Sequence, residues 1–300
     1  MAFSGGLVLS FLSAIAINWS YSAQHDAVAS MPALSLRRPV ETIRSLVRNR
    51  AWLVSFGVES LGWLLYLAAL RLAPLSLVQG VGASGIAALA IFSAHGHPGR
   101  LPRRQQAAVV AGVLGLLLLA LSLVDTTQVD RKPSAYAVAI WLGALVAGSL
   151  LLTGARVRIA RAPALGLAAG LAFAAGDILS KLGVFGGMWL VAFVPLLVVY
   201  ALGTGLLQQA FQIGGALTTA GLATLATNAV PIVSGFVLFD ERVPDGWRGI
   251  LQMLGFAALI GSAVLLARRL PNQSDEREDS PGYRSRPREH GDMAGAGDRN

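Results

Sequence analysis

The chain has 300 residues, of which 54% are hydrophobic and only 13% are charged, and its mean hydropathy is +0.61. A soluble domain is about 45–50% apolar and about 25% charged, so too little polar surface is present to cover a water-soluble fold. The net charge of +8 does not indicate nucleic acid as a partner, because the excess of basic residues lies in short segments between apolar runs. The absence of cysteine excludes disulfides, thiol nucleophiles and Cys-ligated metal sites.

Apolar runs long enough to cross a bilayer recur along the whole chain. A helical span needs about 20 mostly apolar residues, and nine such runs are bounded by charged residues, Pro or Gly. The first has no Lys or Arg before it and is interpreted as a span rather than a signal peptide. The predicted spans lie near 4–24, 52–72, 74–94, 106–124, 136–154, 163–183, 188–211, 216–238 and 247–267. The sequence therefore predicts an all-α, polytopic integral membrane helical bundle with about nine transmembrane helices.

The segments between the spans predict the orientation. With the N-terminus outside, the inner segments hold 18 of the 24 Lys and Arg residues, and an excess of basic residues marks the cytoplasmic side. We therefore expect a multi-pass protein of the plasma or inner membrane, with its N-terminus outside and its C-terminus in the cytoplasm. The long inner loop at 26–50 contains an amphipathic stretch at 40–47, which we expect on the inner surface. Residues 271–300 are rich in Pro, Gly, Ser and mixed charge, which predicts a disordered tail.

The two halves of the chain resemble each other. Residues 69–78 align with 210–219, and at the same offset Gly80 meets Gly221. Spans one to four then correspond to spans six to nine, five crossings apart, so the halves cross the membrane in opposite directions. Such inverted repeats are a common basis of alternating access. The predicted 4+1+4 architecture has a first repeat at 1–135, a linking helix at 136–154, a second repeat at 155–270 and a cytoplasmic tail at 271–300.

Two segments carry a family resemblance. The stretch Tyr-Leu-Ala-Ala-Leu-Arg-Leu-Ala-Pro-Leu-Ser-Leu-Val at 66–78 and the segment 216–241, which leads into the last span, resemble the drug/metabolite transporter (DMT, EamA-like) superfamily. The Ala-Pro-Leu-Ser-Leu-Val motif and the nine-span layout are most similar to its NIPA-type magnesium-transporter branch. The resemblance implies a secondary transporter. The chain departs from the superfamily in its first-half loop, where the usual Glu is absent from the stretch beginning at His97.

Charged side chains inside hydrocarbon are costly and are usually functional. Before residue 271, Glu59 and Asp177 are the two acidic residues well inside predicted spans, and Lys181 follows Asp177 by four residues on the same helix face. We interpret the two carboxylates as a cation or proton site, with Lys181 as an internal competitor. The structural alternative is an ion pair in which Lys181 extends to the membrane surface.

Four uncharged polar residues are further candidates for binding the substrate or a coupling ion, although amides in a helical bundle often only bond neighbouring helices. Asn18 is favoured because its repeat partner lies beside Asp177. Asn228 is favoured because Pro231, three residues later, interrupts the helical hydrogen bonding. The four candidates are Asn18, Gln79, Asn228 and Gln208.

Aromatic residues near the span ends suggest a cavity wall, with interface anchoring as the alternative; they are Trp19, Trp63 and Tyr66. The glycine pattern at 80–85 matches a dinucleotide-binding motif, but it lies inside an apolar span without a preceding strand, so we reject that reading. His95 and His97 are spaced for a metal but lack a third ligand nearby, and any metal stays unknown.

Catalytic motifs are absent from the sequence, so we expect no enzyme and no cofactor. The favoured function is a secondary transporter of small metabolites, drugs or cations by alternating access. The alternatives are NIPA-like magnesium transport and a non-transporting membrane scaffold or lipid-binding subunit. The expected partners are the lipid bilayer and a small-molecule or cation substrate; no nucleic acid is expected, and a homodimer is left open.

Overall fold

The computed structural model describes residues 2–35, 37–73, 78, 81–82, 84–94, 101–122, 133–154, 161–184, 191–238 and 246–267. Ten α-helices occur within them. In chain order the helices are α1 (Ala2–Ala29), α2 (Pro39–Arg48), α3 (Arg50–Leu72), α4 (Ser84–Ser93), α5 (Arg103–Ser122), α6 (Ala135–Gly154), α7 (Arg161–Val184), α8 (Phe193–Ile213), α9 (Ala216–Leu238) and α10 (Trp247–Ala267).

Seven helices in the described part of the chain are long and apolar enough to cross a membrane, namely α1, α3, α6, α7, α8, α9 and α10. The prediction of a polytopic helical membrane protein is therefore confirmed. The other two predicted spans, at 74–94 and 106–124, coincide with α4 and α5, and parts of both lie outside the described residues. The count of nine spans and the 4+1+4 repeat stay predictions.

The first helix is longer than the sequence indicates. The predicted span ends at residue 24, whereas α1 continues to Ala29. Gln24, the last residue of the predicted span, is fully buried and hydrogen-bonded to another helix.

Helix α2 contains the amphipathic stretch predicted at 40–47. It joins α3 through the single residue Asn49, whose side-chain oxygen accepts a hydrogen bond of 3.0 Å from the Trp52 backbone N–H. This is an N-cap, which satisfies one of the unpaired amides at the start of α3. The short connection holds α2 at the end of a membrane-length helix.

The centre of the bundle is formed by α7 and α9, the most buried of the seven long helices. Gly170 lets the two backbones approach closely, because a Cβ at this position would lie 2.6 Å from the Ala223 carbonyl oxygen. Around this pair, α1 packs against α3 and α4, α7 also packs against α8, and α5 packs against α10. A polar cavity lies between these two central helices and α1, α3 and α8.

Candidate functional site

A cavity of about 90 Å³ lies between α1, α3, α7, α8 and α9, beside the backbone at Val78 and Gly82. Its wall combines polar and aromatic side chains. The polar residues are Ser10, Ser13, Asn18, Glu59, Asp177, Thr224, Thr227 and Asn228. The aromatic residues are Tyr21, Trp63, Tyr66, Phe173 and Tyr200. The two carboxylates singled out in the sequence thus share one cavity.

Glu59 is held by a chain of amide hydrogen bonds. Gln24 Nε2 donates to Glu59 Oε2 at 2.6 Å, and Gln208 Nε2 donates to Gln24 Oε1. The indole Nε1 of Trp52 then donates to Gln208 Oε1 at 3.2 Å. Gln24 and Gln208 are both fully buried. The carboxylate on α3 is therefore oriented through α1 by a residue of α8.

Asp177, on α7, is held by an aromatic cluster that also lines the cavity. It is 4% exposed, and the Tyr200 hydroxyl donates a hydrogen bond of 2.7 Å to its Oδ1. The Tyr200 ring lies edge-on to Trp63, with 5.8 Å between centroids, and 5.7 Å from the Phe173 ring. Because rings fix the hydroxyl in place, the position of the carboxylate is set by packing between α3, α7 and α8.

The two asparagines on the cavity wall are each oriented by a hydrogen bond to a backbone carbonyl. Asn18 Nδ2 donates to the Ala14 carbonyl at 2.9 Å, and Asn228 Nδ2 donates to the Thr224 carbonyl at 2.7 Å. Each amide is thus bonded to its own helix four residues back. Thr224 Oγ1 donates to Asn18 Oδ1 at 3.3 Å, which connects α1 and α9 beside the cavity.

Two glycines of the pattern at 80–85, Gly82 and Gly85, have a packing role. A Cβ at Gly82 would collide with the Asn228 side chain, and a Cβ at Gly85 would collide with the Asn18 side chain. The backbone therefore comes close to both amides. This contact explains two of the glycines that form the rejected dinucleotide motif.

The other sequence candidates lie in different places. Gln208 does not line the cavity; it donates a hydrogen bond to Gln24, which in turn donates one to Glu59. Lys181 lies one turn beyond Asp177 on α7, also off the cavity wall, and Gln79 lies outside the described residues. Of the three predicted aromatic residues, Trp63 and Tyr66 line the cavity.

Trp19 has a different position from the one predicted. Its residue surface is 38% exposed, and it lies outside the cavity, on the outer surface of α1. The neighbouring position Asn18 faces inward, and adjacent residues on a helix point about 100° apart. Trp19 therefore lies on the outward-facing side of α1, where its side chain does not line the cavity.

Several cavity residues were missed by the sequence reading. A polar stripe at helical spacing along α1 would have identified some of them, because residues three or four apart share a face. The stripe consists of Ser10, Ser13, Asn18, Tyr21 and Gln24, which follow one another in steps of three residues except for the step of five between Ser13 and Asn18. No comparable signal marks Phe173 or Tyr200, which resemble ordinary core aromatics in an apolar helix.

The described residues contain no group of three or more His, Cys, Asp or Glu that could hold a metal ion together. A cation in this cavity would meet two carboxylates, with hydroxyl, amide and water oxygens completing its surroundings. Hard cations such as Mg²⁺ and Ca²⁺ prefer oxygen ligands of this kind.

Gln24→Leu should lower the stability of the fold. The substitution removes the donor to Glu59 and the acceptor for Gln208, and a buried polar group left without a partner costs about 1–3 kcal/mol. A lower thermal unfolding temperature in detergent would show the effect. Gln209→Leu is the matched control, because Gln209 is half-buried and its Nε2 donates to the Gly205 carbonyl of its own helix. Equal unfolding temperatures for both variants would contradict a special role of the amide chain.

Comparison with known proteins adds one similarity. No family model and no solved structure matches the chain. The chain is 26% identical over 270 residues to the probable magnesium transporter NIPA9 of Arabidopsis thaliana, covering 81% of this chain and 76% of that protein. The seven membrane-length helices of the described residues support a multi-pass membrane protein, and the chain is similar in sequence to a protein of that kind.

Proposed function

We propose that this protein is a membrane transporter of a divalent cation, with magnesium as its substrate. The proposal rests on one observation above all: Glu59 of α3 and Asp177 of α7 line the same cavity. Carboxylates inside a membrane helix bundle are costly and usually mark an ion or substrate pathway. The relative NIPA9, described as a probable magnesium transporter, supports the choice of ion.

The size of the cavity favours a hydrated ion. A volume of about 90 Å³ has room for several water molecules. Magnesium typically keeps several of its waters and binds through one or two carboxylates. Pockets for drug-sized ligands are nearer 300–1,000 Å³, so the cavity gives less support to the wider range of drugs and metabolites.

We further propose alternating access between two inverted halves, with nine spans arranged as 4+1+4 and the N-terminus outside. The packing supports this architecture. In the first half α1 contacts α3 and α4, and in the second half α7 contacts α8 and α9. The last helices of the two halves, α5 and α10, pack against each other. Related packing in both halves lets them exchange conformations around a shared cavity.

A small organic cation is the second candidate substrate. Five aromatic rings line the cavity beside the carboxylates, and aromatic faces attract cations electrostatically. This alternative keeps the role of Glu59 and Asp177 and changes only the ion that they bind.

Uptake by the purified protein in proteoliposomes tests the proposal. With a magnesium-sensitive dye inside the vesicles, external Mg²⁺ should raise the signal faster than in protein-free vesicles. Uptake of a tetraalkylammonium ion without uptake of Mg²⁺ would favour the second candidate. Absence of both fluxes from correctly inserted protein would instead favour a non-transporting scaffold or lipid-binding subunit.

A further inference from the structure

The segment 37–50 combines an amphipathic helix with a strong positive charge. It contains five arginines and one glutamate, which gives a net charge of +4. All five arginines are exposed. Within the described residues, one ion pair occurs in the segment, between Arg38 and Glu41 at 3.4 Å, and both of its side chains are largely exposed. Most of the positive charge therefore faces away from the protein.

One face of α2 is attached to the rest of the protein. Leu46 is 5% exposed and belongs to the hydrophobic core, and Thr42, one turn earlier, is also buried. Thr42 Oγ1 donates a hydrogen bond of 3.0 Å to the Ser35 carbonyl, and the Ser35 backbone N–H donates back to Thr42 Oγ1 at 3.1 Å. These contacts fix the rotation of the helix about its own axis.

The neighbouring face of α2 is apolar and exposed. Val40, Ile43 and Val47 have the spacing of one helix face, and they are 77%, 60% and 51% exposed. Arg44 and Arg48, four residues apart, lie next to this strip on the surface of the helix. The arrangement places an apolar strip next to a pair of parallel basic side chains.

We propose that α2 is a binding site for acidic phospholipids of the membrane in which the protein is inserted. The strip Val40, Ile43 and Val47 contacts the acyl chains near the headgroups, and Arg44 and Arg48 bind the lipid phosphates. A basic amphipathic helix binds a bilayer surface through this combination of apolar area and attraction to anionic headgroups. The site lies outside the transport cavity and goes beyond the proposed transport function.

The chain connectivity identifies the lipid as the occupant. Helix α2 ends at Arg48, and the membrane-length helix α3 begins at Arg50. One intervening residue cannot carry α2 far from the bilayer, because consecutive Cα atoms are about 3.8 Å apart. The apolar strip and its arginines are therefore already at the membrane boundary, where phosphate groups are the abundant partners of opposite charge.

The native chain has no cysteine, so Val47→Cys provides a single position for a fluorescent label on the apolar strip. The labelled full-length protein is reconstituted in phosphatidylcholine vesicles containing equal fractions of either brominated phosphatidylglycerol or brominated phosphatidylcholine. Quenching gives the relative association of the two lipids with α2. Since each basic residue near an anionic surface contributes about 1 kcal/mol, we expect a preference for phosphatidylglycerol of about fivefold per contributing arginine.

Arg44→Gln combined with Arg48→Gln should bring the lipid preference close to one. Substitution of both by Lys should keep it, because the charge is retained, and high salt should weaken it in the parent protein. Arg71→Gln is the matched control, since Arg71 is an exposed arginine at the opposite end of α3. Equal quenching by the two lipids in the parent protein would overturn the proposal, even if the glutamine variant failed to fold. A preference that persists in the folded glutamine variant would overturn it as well.

Discussion

Glu59→Gln and Asp177→Asn should each reduce magnesium uptake by proteoliposomes by at least about 30-fold at low magnesium concentration. Removing one charge from a desolvated pair of opposite charges costs about 2–5 kcal/mol, and 2 kcal/mol corresponds to about 30-fold in binding. The loss should be smaller at high magnesium concentration if the substitution acts mainly on binding.

Both substitutions preserve the local hydrogen bonds, which makes the result specific for charge. The amide oxygen of a glutamine at position 59 can still accept from Gln24, and that of an asparagine at position 177 can still accept from Tyr200. Asp26→Asn is the control, because Asp26 is exposed on α1 and pairs with His25 at 3.1 Å. Unchanged uptake in both cavity variants would refute the assigned roles of Glu59 and Asp177, whatever ion the protein carries.

Gly170→Ala should destabilise the protein strongly. The added methyl would lie 2.6 Å from the Ala223 carbonyl oxygen and 2.7 Å from the Ala226 Cβ, and 2.9 Å from the Ala223 Cα. Two of these atoms are backbone, so a rotamer change cannot relieve the contact and α7 must move away from α9. Overpacking of a well-packed core costs about 1–3 kcal/mol and occasionally more. The measurement is the thermal unfolding temperature of the purified protein, together with its yield as a monodisperse peak.

Gly143→Ala should have the opposite effect on the stability of the protein from Gly170→Ala. Gly143 lies inside α6, and a Cβ there would meet nothing within 4 Å. An alanine in a helix interior is favoured over glycine by about 0.5–1 kcal/mol, so this variant should be as stable as the parent or slightly more stable. A comparable loss of stability in both variants would show that the α7–α9 contact does not govern the effect.

The sequence alone determined the class of protein and its two main candidate carboxylates. Long apolar runs predict membrane helices because backbone polar groups in lipid must be paired within the segment, and seven such helices are present in the described residues. Glu59 and Asp177 were identifiable because a charge inside an apolar run has few structural explanations. The similarity to NIPA9 agrees with the NIPA-type resemblance seen in the motif at 66–78.

The tertiary structure decided which residues share the cavity and which only support it. Gln208 and Gln24 are both amides in apolar surroundings, but the bond from Gln24 to Glu59 is between residues 35 positions apart, and Gln208 reaches Gln24 across 184 positions. Tyr200 joins Asp177 in the same way, through a contact between two helices. Helical periodicity shows which residues share one face of a helix, but not which helix that face meets. For that reason the sequence identifies the charged residues inside the apolar runs. Only the packing of the helices determines that Glu59 and Asp177 line one cavity and that Trp19 does not.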